Sequence, residues 1–96
     1  MSEAEKPFAF PDELRIVQVE TVVKALRAWL ADHPGGSVDA GAVTSVDAAG
    51  LQVIVSLGRL AEQGGPAVRF RTFSPAVTEA ADTLGIPLPS VEEAAA

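Results

Sequence analysis

Val43-Thr44-Ser45-Val46-Asp47-Ala48-Ala49-Gly50-Leu51 is the stretch on which the reading of this chain turns. Val43 and Val46 frame two hydroxyl residues as a strand end, and Asp47 then precedes a long apolar run, where it is expected to cap a helix. An exposed helix start offers unpaired N–H groups and the positive end of the helix dipole, so a hydroxyl in its first turn is well placed to carry a phosphate. Ala48 and Ala49 occupy those places. The helix has an acid to start it and no hydroxyl in its first turn.

Downstream, the helix is expected over 48–62, stopped by Gln63-Gly64-Gly65-Pro66. Gln52, Ser56, Arg59 and Gln63 recur at i, i+4, i+7 and i+11, a single narrow polar stripe. The rest, Glu62 apart, is apolar or small, an arc wider than a surface helix needs for its core. Leu51, Ile54, Gly58 and Ala61 are expected on the sheet. Val53, Leu57 and Leu60 point to a flank that meets a neighbouring helix or, on the sharper view, another protein.

The elements on either side alternate between strand and helix. Phe8-Ala9-Phe10 and Leu14-Arg15-Ile16-Val17-Gln18-Val19 read as two strands of a hairpin around the turn Pro11-Asp12-Glu13. From about Glu20, Val22, Val23, Leu26, Trp29 and Leu30 take up helical spacing until His33-Pro34-Gly35-Gly36. Val38 to Ala40 is a short strand, and Ala67 to Phe73 an alternating one. The last helix is fully punctuated: Ser74 as N-cap, Pro75 at the first position, Val77, Ala80, Ala81 and Leu84 as its stripe, and Gly85 then Pro87 as its end.

With 96 residues the chain has room for one core and no deep cavity of its own. A 48% hydrophobic content marks it as globular, and no apolar run approaches the roughly 20 residues of a membrane span. The start, Met1-Ser2-Glu3-Ala4-Glu5-Lys6, lacks the basic and apolar regions of a signal peptide, so a cytoplasmic location is expected, and the absence of cysteine fits it. A net charge of −6 argues against a nucleic-acid surface. Arg69 and Arg71 fall close together but alternate on a strand, as an exposed face does.

The element order, the Val46-Asp47-Ala48-Ala49-Gly50-Leu51 turn and the closing Phe73-Ser74-Pro75-Ala76-Val77 into a helix ending at Leu84-Gly85-Ile86 resemble a STAS domain. That module serves as bacterial anti-sigma-factor antagonist and as the soluble subunit of phospholipid-trafficking ABC transporters. The resemblance implies an α/β fold: a small mixed sheet of four to five strands with about three main helices. It spans residues 8–88, between a tail at 1–7 and an acidic, alanine-rich tail at 89–96. In the antagonists the turn reads Asp-Ser-Ser-Gly or Asp-Thr-Ser-Gly, and an anti-sigma kinase phosphorylates the residue before the glycine. That position is Ala49, so the resemblance implies a domain without the usual switch.

Other chemistry is thin. Thr44 and Ser45 are expected at a strand end with at least one turned inward, and Ser56 lies too far into its helix for free N–H groups to hold a phosphate. His33 sits in a Pro-Gly turn, where a solvated loop residue is the plainer reading. Asp12-Glu13 and Glu92-Glu93 read as solvated charges, and Gly35-Gly36 and Gly64-Gly65 lack the Lys-Ser/Thr of a phosphate loop. No cofactor, metal or catalytic residue is expected.

The expected function is a non-enzymatic protein-interaction module with Ser45, Asp47, Ala48, Ala49, Gly50, Gln52, Val53 and Ser56 as its partner face. An anti-sigma-antagonist-like role leads, with an anti-sigma kinase-like protein as partner. The transporter subunit, with a transporter ATPase as partner, stands close behind and is slightly favoured by the alanines. A chemotaxis-associated STAS protein comes next, and a small enzyme or nucleotide-binding domain ranks last. The apolar arc of the second helix also permits a homodimer.

Overall fold

The computed structural model describes residues 7–65 and 68–91. Residues 1–6 of the expected tail 1–7, residues 92–96 of the expected tail 89–96 with the pair Glu92-Glu93, Pro66, Ala67 and the side chain of Ala61 lie outside those residues. In chain order the elements are β1 (Phe8–Ala9), β2 (Glu13–Leu14), α1 (Ile16–Asp32), β3 (Ser37–Ala40), β4 (Ser45–Val46), α2 (Ala48–Gly58), a 3₁₀ turn at Ala61–Gln63, β5 (Arg69–Phe73) and α3 (Pro75–Leu84). This is the α/β class and helix number expected.

Among the described residues, five strands divide between two small parallel sheets, ordered β1-β3-β5 and β2-β4. The hairpin expected near the start does not form. β1 pairs with β3, Phe8 opposite Val38, while β2 pairs with β4, Leu14 opposite Val46. Phe10 N–H still donates to Asp39 O at 3.0 Å, but Pro11 has no N–H to continue that ladder. Asp12 then hands the chain to the second sheet, its carbonyl accepting from Thr44 N at 2.7 Å and Ser45 N at 3.1 Å. Parallel pairing wins because each strand finds its partner across an intervening helix, which a local alternation signal does not reveal.

The strand expected over Leu14 to Val19 is also replaced, since α1 begins at Ile16 rather than near Glu20. Leu14 is fully buried, and from there the apolar residues fit helical spacing better than alternation: Val19, Val22, Val23, Leu26 and Leu30 face inward while Val17 is left 78% exposed. The cap that stabilises this early start comes from elsewhere in the chain. At the other end, α2 stops at Gly58 rather than Glu62. Arg59 N–H donates to Ser56 O and Leu60 N–H to Leu57 O, the tightened turns of a fraying helix end.

α3 follows its punctuation. Ser74 Oγ accepts from Val77 N–H at 3.2 Å, Gly85 takes the left-handed conformation at φ 69°, and Ile86 N–H folds back to Ala81 O at 2.9 Å. Val77 and Ala81 are buried, whereas Leu84, expected in the same stripe, stays 51% exposed. Phe10, Leu14, Val38, Val43, Leu51, Ile54 and Phe70 form the centre of one core between the sheets and the helices. Arg69 and Arg71 are exposed, Arg69 Nε donating to Gly35 O.

Candidate functional site

The Asp47 turn joins the two helices that frame the site. Asp47 is the N-cap of α2, and its Oδ1 accepts from Gly50 N–H at 3.0 Å. Its Oδ2 accepts from Ile16 N–H, also at 3.0 Å, and Ile16 is the first residue of α1. One carboxylate therefore serves the starts of two helices. The Ile16 N–H, then the Gly50 N–H, together with the nearby Arg15 charge, hold the Asp47 carboxyl below its ordinary 3.8, against the opposing effect of desolvation. The anion site that a helix start provides is already filled by the protein's own acid.

Gly50 has an equally specific reason to be glycine. A Cβ at that position would run into the carbonyl oxygen of Leu14 and come within 2.9 Å of Val46 Cγ2. α2 lies directly on the backbone of β2 there, and only a residue without a side chain allows that approach. Asp47 and Gly50 thus build the turn, whereas Ala48 is exposed and Ala49 is half-buried.

Beyond Ala49, α1 and α2 leave an open apolar groove of about 580 Å³ between them. It begins beside Val19 and Ala49 near the helix starts and runs to Leu30 and Leu60 near their ends. Val53 and Leu57, the flank expected to meet a neighbouring helix, form its floor together with Leu26. Gln52 and Ser56 stand exposed on its α2 rim, and Arg27 on its α1 side.

The expected site residues consequently separate. Ala49, Gln52, Val53 and Ser56 meet along this groove, while Asp47 and Gly50 lie beneath the turn as structure. Ser45 faces another way, half-buried in a shallow hollow with Thr44, Glu79 and Thr83 on the α3 side. Thr44 is exposed and donates through Oγ1 to Asp12 O at 3.2 Å, so it is not turned inward. His33 is exposed, with its ring stacked on Trp29 at 4.6 Å and Nδ1 2.9 Å from Trp29 O.

The α1 half of the groove was missed from sequence. Its signal is present: Ile16, Val19, Val23, Leu26 and Leu30 follow a 3-4 heptad spacing, the seam pattern of a helix that meets another helix. Reading residues 14–19 as a strand cut that pattern in two. Among the described residues no three His, Asp or Glu side chains gather as a metal site, and no helix is long and apolar enough to cross a membrane.

Two capped helices stand on a small parallel α/β core, with an open apolar groove between them. The chain belongs to the STAS domain family: the family model described as "Mlab, STAS domain" matches residues 12–87. It is a STAS-type regulatory and interaction module. No curated protein and no solved structure matches the chain.

Proposed function

We propose that this chain is a constitutive, non-enzymatic protein-docking module, anti-sigma-antagonist-like in its docking face but without the phosphate switch. Its partner, an anti-sigma kinase-like protein or a transporter ATPase, meets Ala48, Ala49, Gln52, Val53 and Ser56 beside the Asp47 turn. The observation that carries this is Ala49, an alanine at the place before Gly50 where the antagonists hold their acceptor hydroxyl, lying at the mouth of an apolar groove. A phosphate there would bring about −1.5 to −2 charges against that apolar surface, which is how the usual switch would release a partner. With no hydroxyl, binding is set by the presence of the partner alone.

The second role, the cytoplasmic STAS subunit of a phospholipid-trafficking ABC transporter, is favoured by the same two alanines, because antagonists depend on phosphorylation more heavily. Titrating the chain with the purified anti-sigma kinase and, separately, the transporter ATPase of its own cell, both with ATP present, tells the two apart. One partner is expected to bind with no phosphate transferred to the chain. Ala49→Glu and Gln52→Arg are expected to weaken that binding about tenfold, or about 1.4 kcal/mol, with far-UV circular dichroism unchanged. Phosphate incorporated anywhere on the chain, or an affinity untouched by both substitutions, overturns the proposal.

A further inference from the structure

We infer that the groove between α1 and α2 seats a single amphipathic helix of the partner, about three turns long, with a carboxylate aimed at Arg27. The inference rests on the docking role proposed above and gives the partner's segment its chemistry. Three observations carry it.

The first is shape. The groove follows α1 from Val19 to Leu30, eleven residue steps or about 16 Å at 1.5 Å per residue, which is about three helical turns. Its walls are two helices whose starts share one carboxylate. The open trough between them is the place a third helix takes in a bundle. The second is the apolar stripe. Ile16 continues the Val19, Val23, Leu26 and Leu30 spacing beyond the groove and is left 68% exposed. An apolar strip that runs on past the trough suits side chains at i, i+3, i+4 and i+7 of a docked helix better than one short ligand.

The third is charge. The chain has 13 acidic residues against 7 Lys and Arg, yet among the described residues the groove lining contains no acid and a single cation, Arg27. An apolar face flanked by Asp or Glu complements that lining, whereas a basic helix would set like charge against Arg27.

The experiment is selection of a displayed library of 14-residue helix-forming peptides on the full chain, repeated on Arg27→Glu and on Ser56→Trp. Ser56 is exposed on the rim, so tryptophan there obstructs the groove without entering the core. Val23→Asp is a second perturbation, from the opposite helix, that sets a carboxylate in the apolar lining against the peptide's own acid, with far-UV circular dichroism checking that the fold is kept. Wild type is expected to enrich peptides with apolar residues at i, i+3 or i+4 and i+7 and a flanking Asp or Glu. Ser56→Trp and Val23→Asp should each weaken those peptides at least about tenfold, and Arg27→Glu should exchange the selected acid for Lys or Arg.

Enrichment of basic peptides on wild type overturns the inference, as does failure to enrich any helix sensitive to both Ser56→Trp and Val23→Asp. Two other occupants are read in parallel. Saturable binding of dodecanoate lost in Ser56→Trp, without helix selection, assigns the groove to an amphiphile. A concentration-dependent dimer lost in the same variant assigns it to a second copy, and either result overturns the helix. If no helix is selected while Ala49→Glu still breaks binding to the native partner, the docking role stands and only this inference falls.

Discussion

Asp47 and Ser74 both cap helices, and they do so on different scales. Ser74 accepts from Val77, three residues away, and the cap belongs to α3 alone. Asp47 accepts from Gly50, also three residues away, and from Ile16, 31 residues away, so its cap belongs to two helices and to the groove between them. The contrast shows why one helix was readable end to end while the other pair was not. A local cap is visible in a short window of sequence, and a shared cap exists only once the chain has folded.

The largest expected effect comes from the glycine beside the shared cap. Gly50→Ala forces a methyl into the Leu14 carbonyl, a backbone atom that no rotamer change can move away, and should cost about 3 kcal/mol, at the upper end for overpacking. Urea denaturation reads that loss as a fall in midpoint, and an unchanged midpoint would mean that α2 does not lie on β2 as described.

Next is the comparison itself. Ser74→Ala should cost about 1 kcal/mol, the usual value of a single cap, and Asp47→Ala should lower the urea midpoint further. Hydrogen exchange should quicken at Ile16 and Gly50 together in Asp47→Ala, but at Val77 alone in Ser74→Ala. If Ile16 exchange stays as in wild type after Asp47→Ala, the two-helix cap is wrong.

A smaller effect concerns pH. The folded Asp47 carboxyl is held below 3.8, so the unfolded chain binds its proton first and stability rises with pH across that range. The contribution is present above the ordinary carboxylate value and lost as pH falls through the lower folded value. Asp47→Asn should remove this part of the acid dependence, and Ser74→Ala should leave it intact. Asparagine has one acceptor oxygen where two N–H groups need one each, so the variant should also be less stable at neutral pH. A denaturation series from pH 2 to pH 7 with superimposable slopes for wild type and Asp47→Asn would contradict the assignment.

The smallest effect is expected one residue from the largest. Ala49→Ser adds a hydroxyl at a half-buried position facing the groove and should change stability by no more than about 0.5 kcal/mol. A loss approaching that of Gly50→Ala would place Ala49 in the core instead of at the groove mouth.

The legible parts of the fold share one property: their determinants are close in sequence. Ser74, Pro75, Gly85 and Pro87 announce both ends of α3, and Asp47 announces the start of α2. The start of α1 was placed four residues late because Arg15 and Ile16 are poor helix-start signals by themselves. Ile16 N–H takes its acceptor from the distant Asp47, while Arg15 N–H takes Gln18 Oε1 at 3.0 Å. Half of the candidate site was legible for the same reason. Ala49, Gln52, Val53 and Ser56 lie on one helix whose polar stripe is plain, whereas Val19, Val23 and Arg27 join them only through the packing of α1 against α2.

By itself, the sequence determined the α/β class, the three helices, the caps at Asp47 and Ser74 and the alanine, with no hydroxyl, that precedes Gly50. These follow from residue type and short-range spacing, through hydrogen bonds and side-chain periodicity that act within a few residues. The tertiary structure alone decided that the strands pair in parallel in two sheets, that Gly50 is required by the Leu14 carbonyl, and that Asp47 also caps α1. Each of these depends on groups about 30 or more residues apart, and the groove depends on them in turn, because it exists only where two helices anchored to one carboxylate lie side by side.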